Sequence, residues 1–220
     1  MVIKMRDYRT VKAEIEATLE LKRSKFICSI LPVNDVVEGL EYLKTIKKRY
    51  PGATHYCYAI IGKPGSNEEK VSDDGEPSGT AGAPIKSVLN TLSLEGIACI
   101  VTRYFGGIKL GAPGLISAYS NAVSNCLNEA EFVNVIWART YEIKIGYSEL
   151  DAITRRFASE GIALEDIQYG ENITLIAGVP VELEENLYSI VNNYTMGRGL
   201  LKPLVHKYTI INEGEKNENN

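Results

Sequence analysis

Eight of the nineteen glycines fall within forty residues, at 75, 79, 82, 96, 106, 107, 111 and 114. Glycine costs backbone entropy and is used where φ is positive or where two backbones approach closely. A chain built this way has to form two turn-rich loops in quick succession. Each loop leads to a proline, Pro84 or Pro113, and then to apolar residues at helical spacing. Ile85, Val88, Leu89 and Leu92 follow the first proline. Leu115, Tyr119, Ala122, Val123, Cys126 and Leu127 follow the second. Proline is pre-set for the first position of a helix, so two helices are expected to start at these prolines. The loops follow two short apolar runs, 55–61 and 97–101, which suit buried strands.

Around this centre the periodicity extends to the whole chain. Residues 11–19 and 24–31 read as an antiparallel pair joined near Lys22 and Arg23. Asn34 or Asp35 is placed to cap a helix over 35–49, with Val36, Leu40, Leu43 and Ile46 on its buried stripe. The stretch 62–82 is polar and reads as one long loop. Helices laid over a sheet are the expected result up to about residue 134. The remainder follows a smaller scheme: a strand over 140–145, a helix capped by Ser148 and ended by Gly161, and strands over 164–169 and 173–179 around the turn Gly170-Glu171-Asn172. A second helix, opened by Pro180 and Glu182, and a strand over 204–211 complete β-α-β-β-α-β, the ferredoxin-like order. The expected class is therefore α+β, with domains over 1–134 and 135–212 and a flexible polar tail over 213–220.

Composition narrows the setting. At 45% hydrophobic and 24% charged residues, the chain has enough apolar material for ordinary cores. No run approaches the roughly 18 apolar residues of a membrane span, and the first nine residues lack the apolar core of a leader. Cys28, Cys57, Cys99 and Cys126 form no CxxC pair. They read as buried free thiols of a reducing compartment, which points to the cytoplasm. With two histidines in the chain, no metal site and no cofactor are expected. The net charge of −4 is uneven: residues 1–134 carry 16 basic and 15 acidic groups, and 135–220 carry 8 and 13. Any contact with nucleic acid is expected on the first domain.

The candidate site is the pair of glycine loops. Candidate binding residues are His55, Asp73, Asp74, Glu76, Ser78, Thr80, Arg103, Tyr104 and Lys109. Helix starts beside glycine loops offer unpaired N–H groups to anions, and Arg103 leaves a strand end with a planar, five-donor group. Asp73, Asp74 and Glu76 have three uses open to them: Mg²⁺ ligation, pairing with Arg103 and Lys109, or capping of turns and helix starts. His55 is either a packed strand residue or a site group. Tyr104 and Phe105 either stack on a base or plug the loop. No phosphate-binding, zinc-hydrolase or nucleophile motif is present, so no catalytic residue is assigned.

The segments KRSKFI (22–27), HYCYA (55–59), DDGEPSGTAG (73–82) and VTRYFGGIKLG (101–111) together resemble the signature of the Impact/YigZ family. The resemblance covers about residues 17–128, and the second domain is similar to the C-terminal module of bacterial members. One departure is Pro113, where members commonly carry a second glycine; proline stiffens this helix entry. The resemblance implies a ribosomal protein S5 domain 2-like fold for the first domain. For the second it implies a ferredoxin-like module similar to the late domains of elongation factor G. It further implies a role in translation or its regulation, through RNA, the ribosome or a ribosome-associated protein. Two other functions are weighed against it: an enzyme acting on a phosphorylated or nucleotide-like small molecule, and a protein-interaction module without nucleic-acid contact.

Overall fold

The computed structural model of the chain describes residues 5–66 and 68–212; the tail expected over 213–220 lies outside them. The chain divides into two compact units, one running to Phe132 and the other starting at Val133.

The first unit contains β1 (Tyr8–Val11), β2 (Ile15–Leu21), β3 (Ser24–Pro32), α1 (Val36–Arg49), β4 (His55–Ile61), β5 (Glu69–Ser72), α2 (Gly82–Thr91), β6 (Ile97–Tyr104) and α3 (Gly111–Leu127). Five strands form one sheet in the order β2-β3-β6-β4-β5, and every neighbouring pair is antiparallel. The β2–β3 turn is only Lys22 and Arg23, both at positive φ (46° and 65°). That backbone twists with its flanking strands, which is why two-residue hairpins use it.

Both faces of the sheet are covered. Tyr42, Leu43 and Ile46 of α1 pack on Ile60, Ala98 and Ile100. On the other face α2 and α3 bring Ile85, Leu89, Ala118, Tyr119, Ala122 and Val123 onto Phe26, Cys28, Cys57, Cys99 and Val101. β6 is therefore central and apolar on both sides, and each such aliphatic side chain contributes about 1.5–3 kcal/mol through burial. All four cysteines are buried free thiols, as expected. Asp35 caps α1 by accepting from the Glu38 N–H at 2.9 Å.

The second unit is built from β7 (Phe132–Ile145), α4 (Leu150–Glu160), β8 (Ala163–Tyr169), β9 (Ile173–Pro180), α5 (Glu184–Thr195) and β10 (Leu200–Asn212). Its strands are antiparallel in the order β10-β7-β9-β8. In chain order this is fourth, first, third, second, the ferredoxin-like arrangement. Ile153 and Phe157 of α4 and Leu187, Ile190 and Val191 of α5 pack on Tyr141, Ile143, Ile145, Leu175, Ala177 and Val179. Gly161 ends α4 in the left-handed region at φ 75°. The α+β class and the order of the second unit agree with expectation.

Several local expectations need correction. The polar stretch 62–82 is not all loop, because β5 lies within it, paired to β4 from Tyr58↔Ser72 to Ile61↔Glu69. Both central helices begin two residues before their prolines, at Gly82 and Gly111. Pro84 and Pro113 still sit in the first turn, where a missing N–H costs nothing. Ser148 does not cap α4: residues 147–149 form a 3-10 turn, and Glu149 precedes the helix without a side-chain cap. Likewise 181–183 form a 3-10 turn before α5. No helix among the described residues is long and apolar enough to cross a membrane.

Candidate functional site

The first glycine loop is organised by its own carboxylates. Asp73 Oδ2 accepts from the Gly79 N–H at 2.8 Å, and Oδ1 accepts from Ala81 at 3.0 Å and Gly82 at 2.9 Å. α2 has no side-chain cap at Ala81, so Asp73 caps it from eight residues upstream. Asp74, at φ 42°, accepts from the Tyr56 N–H through Oδ2 at 2.6 Å. This pins the loop to the start of β4. Of the three uses open to the loop carboxylates, Asp73 and Asp74 take the capping of backbone N–H groups, and Glu76 takes the pairing with Arg103.

Burial pushes the Asp73 carboxyl up, but the N–H donors of Gly79, Gly82 and Ala81 outweigh it and hold the pKa below the ordinary value. A depressed folded pKa gives stability that is complete above the unfolded value, about 3.9, and is lost as pH falls through the folded one. The first unit is therefore expected to lose thermal stability on acidification below about pH 4. Asp73→Asn is expected to lower the melting point at neutral pH and flatten that acid dependence. Calorimetry across the acid range checks this; parallel acid slopes for both proteins would contradict it.

Beneath the loop lies a buried charged cluster. Arg103 stands on β6 directly between its cross-strand partners Phe26 and His55. Its side chain is 5% exposed and that of Glu76 is 4%. Arg103 Nη1 donates to Glu76 Oε1 at 2.5 Å, and Nη2 reaches Ser24 Oγ at 3.4 Å. The guanidinium lies 5.2 Å from the Phe26 ring and 5.4 Å from the Phe105 ring. Its Nε has no hydrogen-bond partner among the described residues. Tyr119 of α3 donates to the same Glu76 oxygen at 2.8 Å.

Cys57 Sγ lies 2.9 Å from the Asp73 carbonyl and 3.3 Å from the Tyr119 hydroxyl. Burial pushes its thiol up to about 12, so it stays protonated at neutral pH. His55 Nδ1 is 2.8 Å from the Asp74 carbonyl. A carbonyl only accepts, so Nδ1 carries the hydrogen. Nε2 is left facing Glu76 at 3.9 Å, beyond hydrogen-bond reach. A protonated thiol and a carboxylate already engaged by two donors do not make a nucleophile–base pair. The cluster braces the loop.

Of the nine candidate residues, His55, Asp73, Asp74, Glu76 and Arg103 converge. Thr80 is buried and donates to the Pro77 carbonyl at 2.6 Å. Tyr104 is half-buried and donates to the Pro51 carbonyl at 3.2 Å. Ser78 and Lys109 are exposed. Ser24, Phe26, Cys57 and Tyr119 belong to the cluster and are not among the expected residues. The available signal was alternation: Phe26, His55, Cys57, Val101 and Arg103 all face α3 once the strands are in register.

The surface outside this cluster has a different character. Gly106 lies so close to the hairpin turn that a Cβ there would sit 2.0 Å from the Arg23 carbonyl oxygen, and its N–H donates to Ser24 Oγ at 3.2 Å. The second loop therefore rests on the β2–β3 turn. This places exposed Phe105 (45%) and Ile108 (40%) on the same end of the sheet as exposed Lys22, Arg23 and Lys25, with Lys109 further along the loop. Lys25 pairs in register with Tyr104.

A sheet of this order ending in two glycine loops, together with a ferredoxin-like unit, defines a two-unit α+β protein. Residues 22–127 match the Impact N-terminal domain, and residues 143–198 match a domain of unknown function, DUF1949. The chain is 38% identical to the IMPACT family member YvyE of Bacillus subtilis over 84% of its own length and 85% of that protein's. It is 31% identical to an IMPACT family member of Haemophilus influenzae, over 91% and 98%. With the IMPACT family member YigZ of Escherichia coli it shares 32% identity over 64% and 70%. A crystal structure described as that of an hypothetical protein superposes with a TM-score of 0.60 at 25% identity, covering 90% of this chain and 97% of that one. The chain belongs to the IMPACT family.

Proposed function

We propose that the protein is a translation-linked binding protein whose first unit presents the hairpin turn and second glycine loop to RNA or to the ribosome. One observation carries this: the contact of Gly106 with Arg23 joins an aromatic loop to a cationic turn as one face. Lys22, Arg23, Lys25 and Lys109 are exposed there. Cations free to meet phosphates supply salt-dependent affinity, and an exposed ring beside them offers a base a stacking surface. Phe105 replaces Tyr104 in that role, because the Tyr104 hydroxyl is held by Pro51. Arg103 supports the face from beneath and does not contact the anion, since Glu76 already engages it. The same closed ion pair argues against an enzyme whose substrate anion sits on Arg103.

The test is fluorescence anisotropy with a labelled single-stranded RNA, and co-sedimentation with ribosomes, for wild type and an R23A/K25A/K109A variant. The variant is expected to bind about tenfold or more weakly, with a log–log salt slope shallower by about 0.7 for each lost phosphate contact. Absence of salt-dependent binding to RNA and ribosomes alike would overturn the proposal. Capture of a protein that survives RNase treatment would favour an interaction module instead.

A further inference from the structure

We propose that the second unit carries a binding site for a compact zwitterion, a small molecule that presents an ammonium and a carboxylate close together, as a free α-amino acid does. A cavity of about 330 Å³ opens between the end of β7, the 147–149 turn, Asn172 at the start of β9 and the residues that follow α5. That volume is at the small end of ligand pockets. Its polar lining is Lys144, Ser148, Glu149, Asn172, Thr195 and Arg198, all from this unit.

The side chains in this lining leave hydrogen-bonding capacity unused in both senses. Glu149 is mostly buried, with 13% of its side chain exposed. Its Oε2 is buried without a hydrogen-bond partner among the described residues. Among the described residues its Oε1 meets only Arg198 Nη2, at a long 3.5 Å. A buried carboxylate with so little donation is costly to keep unless something donates to it. Glycine at 146 is what admits this oxygen, because a Cβ there would lie 2.4 Å from Oε2. On the other side, Arg198 is tied by Nε to the Thr195 carbonyl at 3.1 Å, while 74% of its side chain remains exposed. Lys144 comes no nearer than 3.9 Å to the carboxylate of Glu142.

The ligand class follows from elimination by charge. A bare anion would satisfy Lys144 and Arg198 but face the Glu149 carboxylate. A metal ion would find one carboxylate and two cations. A zwitterion places its ammonium on Glu149, whose terminal torsion is soft enough to turn either oxygen toward it. Its carboxylate meets the guanidinium and ammonium of Arg198 and Lys144, and Ser148 and Asn172 remain for whatever else it carries. This site is independent of the RNA-facing surface of the first unit.

The experiment is a thermal-shift screen of the full chain against each proteinogenic L-amino acid. The controls are the N-acetylated form, the decarboxylated amine and inorganic phosphate, with titration calorimetry on any hit. At least one amino acid is expected to raise the melting temperature by several degrees, as linkage requires of a ligand that binds only the folded state. Its N-acetyl and decarboxylated forms are expected not to. Glu149→Gln and Arg198→Ala should each weaken binding by about tenfold or more. Arg198 is exposed enough for its alanine variant to fold, so that variant decides the matter if Glu149→Gln does not. The proposal is overturned if no amino acid shifts the transition. It is also overturned if phosphate or the N-acetyl form binds as well, or if Arg198→Ala binds like wild type.

Discussion

Glu76→Ala is expected to destabilise the first unit by about 3–5 kcal/mol, the usual result of removing one partner from a buried ion pair. Among the described residues Arg103 would keep the Ser24 hydroxyl at 3.4 Å as its side-chain hydrogen-bond partner, beside the Phe26 and Phe105 rings, and the Tyr119 hydroxyl would lose its acceptor. The pair itself need not be worth that much. Both charges were desolvated to form it, so an Arg103→Met/Glu76→Leu double variant is expected to recover most of that loss, short of the Tyr119 hydrogen bond it also removes. Urea unfolding followed by far-UV circular dichroism measures both, with hydrogen exchange of the β6 amides assigning the loss to the first unit. Tryptophan fluorescence would report on the wrong unit, since the one tryptophan is Trp137. A loss below about 1 kcal/mol for Glu76→Ala would mean that the pair behaves like an exposed one.

Gly106→Ala is expected to cost about 3 kcal/mol, the upper end of overpacking, and to reduce RNA binding with it. The new Cβ would fall 2.0 Å from the Arg23 carbonyl oxygen and 2.1 Å from its carbon. A backbone atom cannot rotate away as the end of a side chain can, so the loop has to lift off the turn. Gly107→Ala is the matching control. A Cβ there meets nothing within 4 Å, but the residue sits at φ 85°, so about 1–2 kcal/mol of backbone strain is expected with the binding face kept. Equal RNA affinity for Gly106→Ala and wild type would separate the binding surface from this contact.

The two predictions rest on features of unequal legibility. That Arg103 needs a partner was legible, because it is a charge at the end of an apolar strand. The partner's identity was not legible. Glu76 lies 27 positions before Arg103, and Tyr119, on the other side of Arg103, lies 43 after Glu76, and three loop carboxylates looked equivalent. The register decided among them: with His55 and Arg103 opposed, the Asp73 and Asp74 carboxylates are taken up by backbone N–H groups, and only Glu76 reaches beneath α3. Gly106 was one of eight glycines in a rich segment, and nothing local distinguishes a glycine used for close approach from one used for positive φ.

Elements with their own burial pattern were readable. α1 has its apolar stripe and Asp35, and the hairpin at 170–172 has a polar turn followed by the apolar run of β9. β5 was not readable, since Glu69–Ser72 is exposed or half-exposed throughout and is a strand only because β4 offers it an edge. The early starts of α2 and α3 have a similar origin: the cap of α2 comes from Asp73, across the loop, and not from the residue before the helix.

The glycine distribution, the two prolines near the helix starts and the period of the apolar residues were enough to determine the α+β class and the ferredoxin-like order of the second unit. These are local properties, carried by backbone preference and by which face of an element is apolar. Tertiary structure alone decided which carboxylate neutralises Arg103, that the second loop rests on the β2–β3 turn, and that Phe105 rather than Tyr104 is left outside. Each of these depends on pairing between residues far apart in the chain, where strand register and backbone contact choose among side chains that local sequence leaves equivalent.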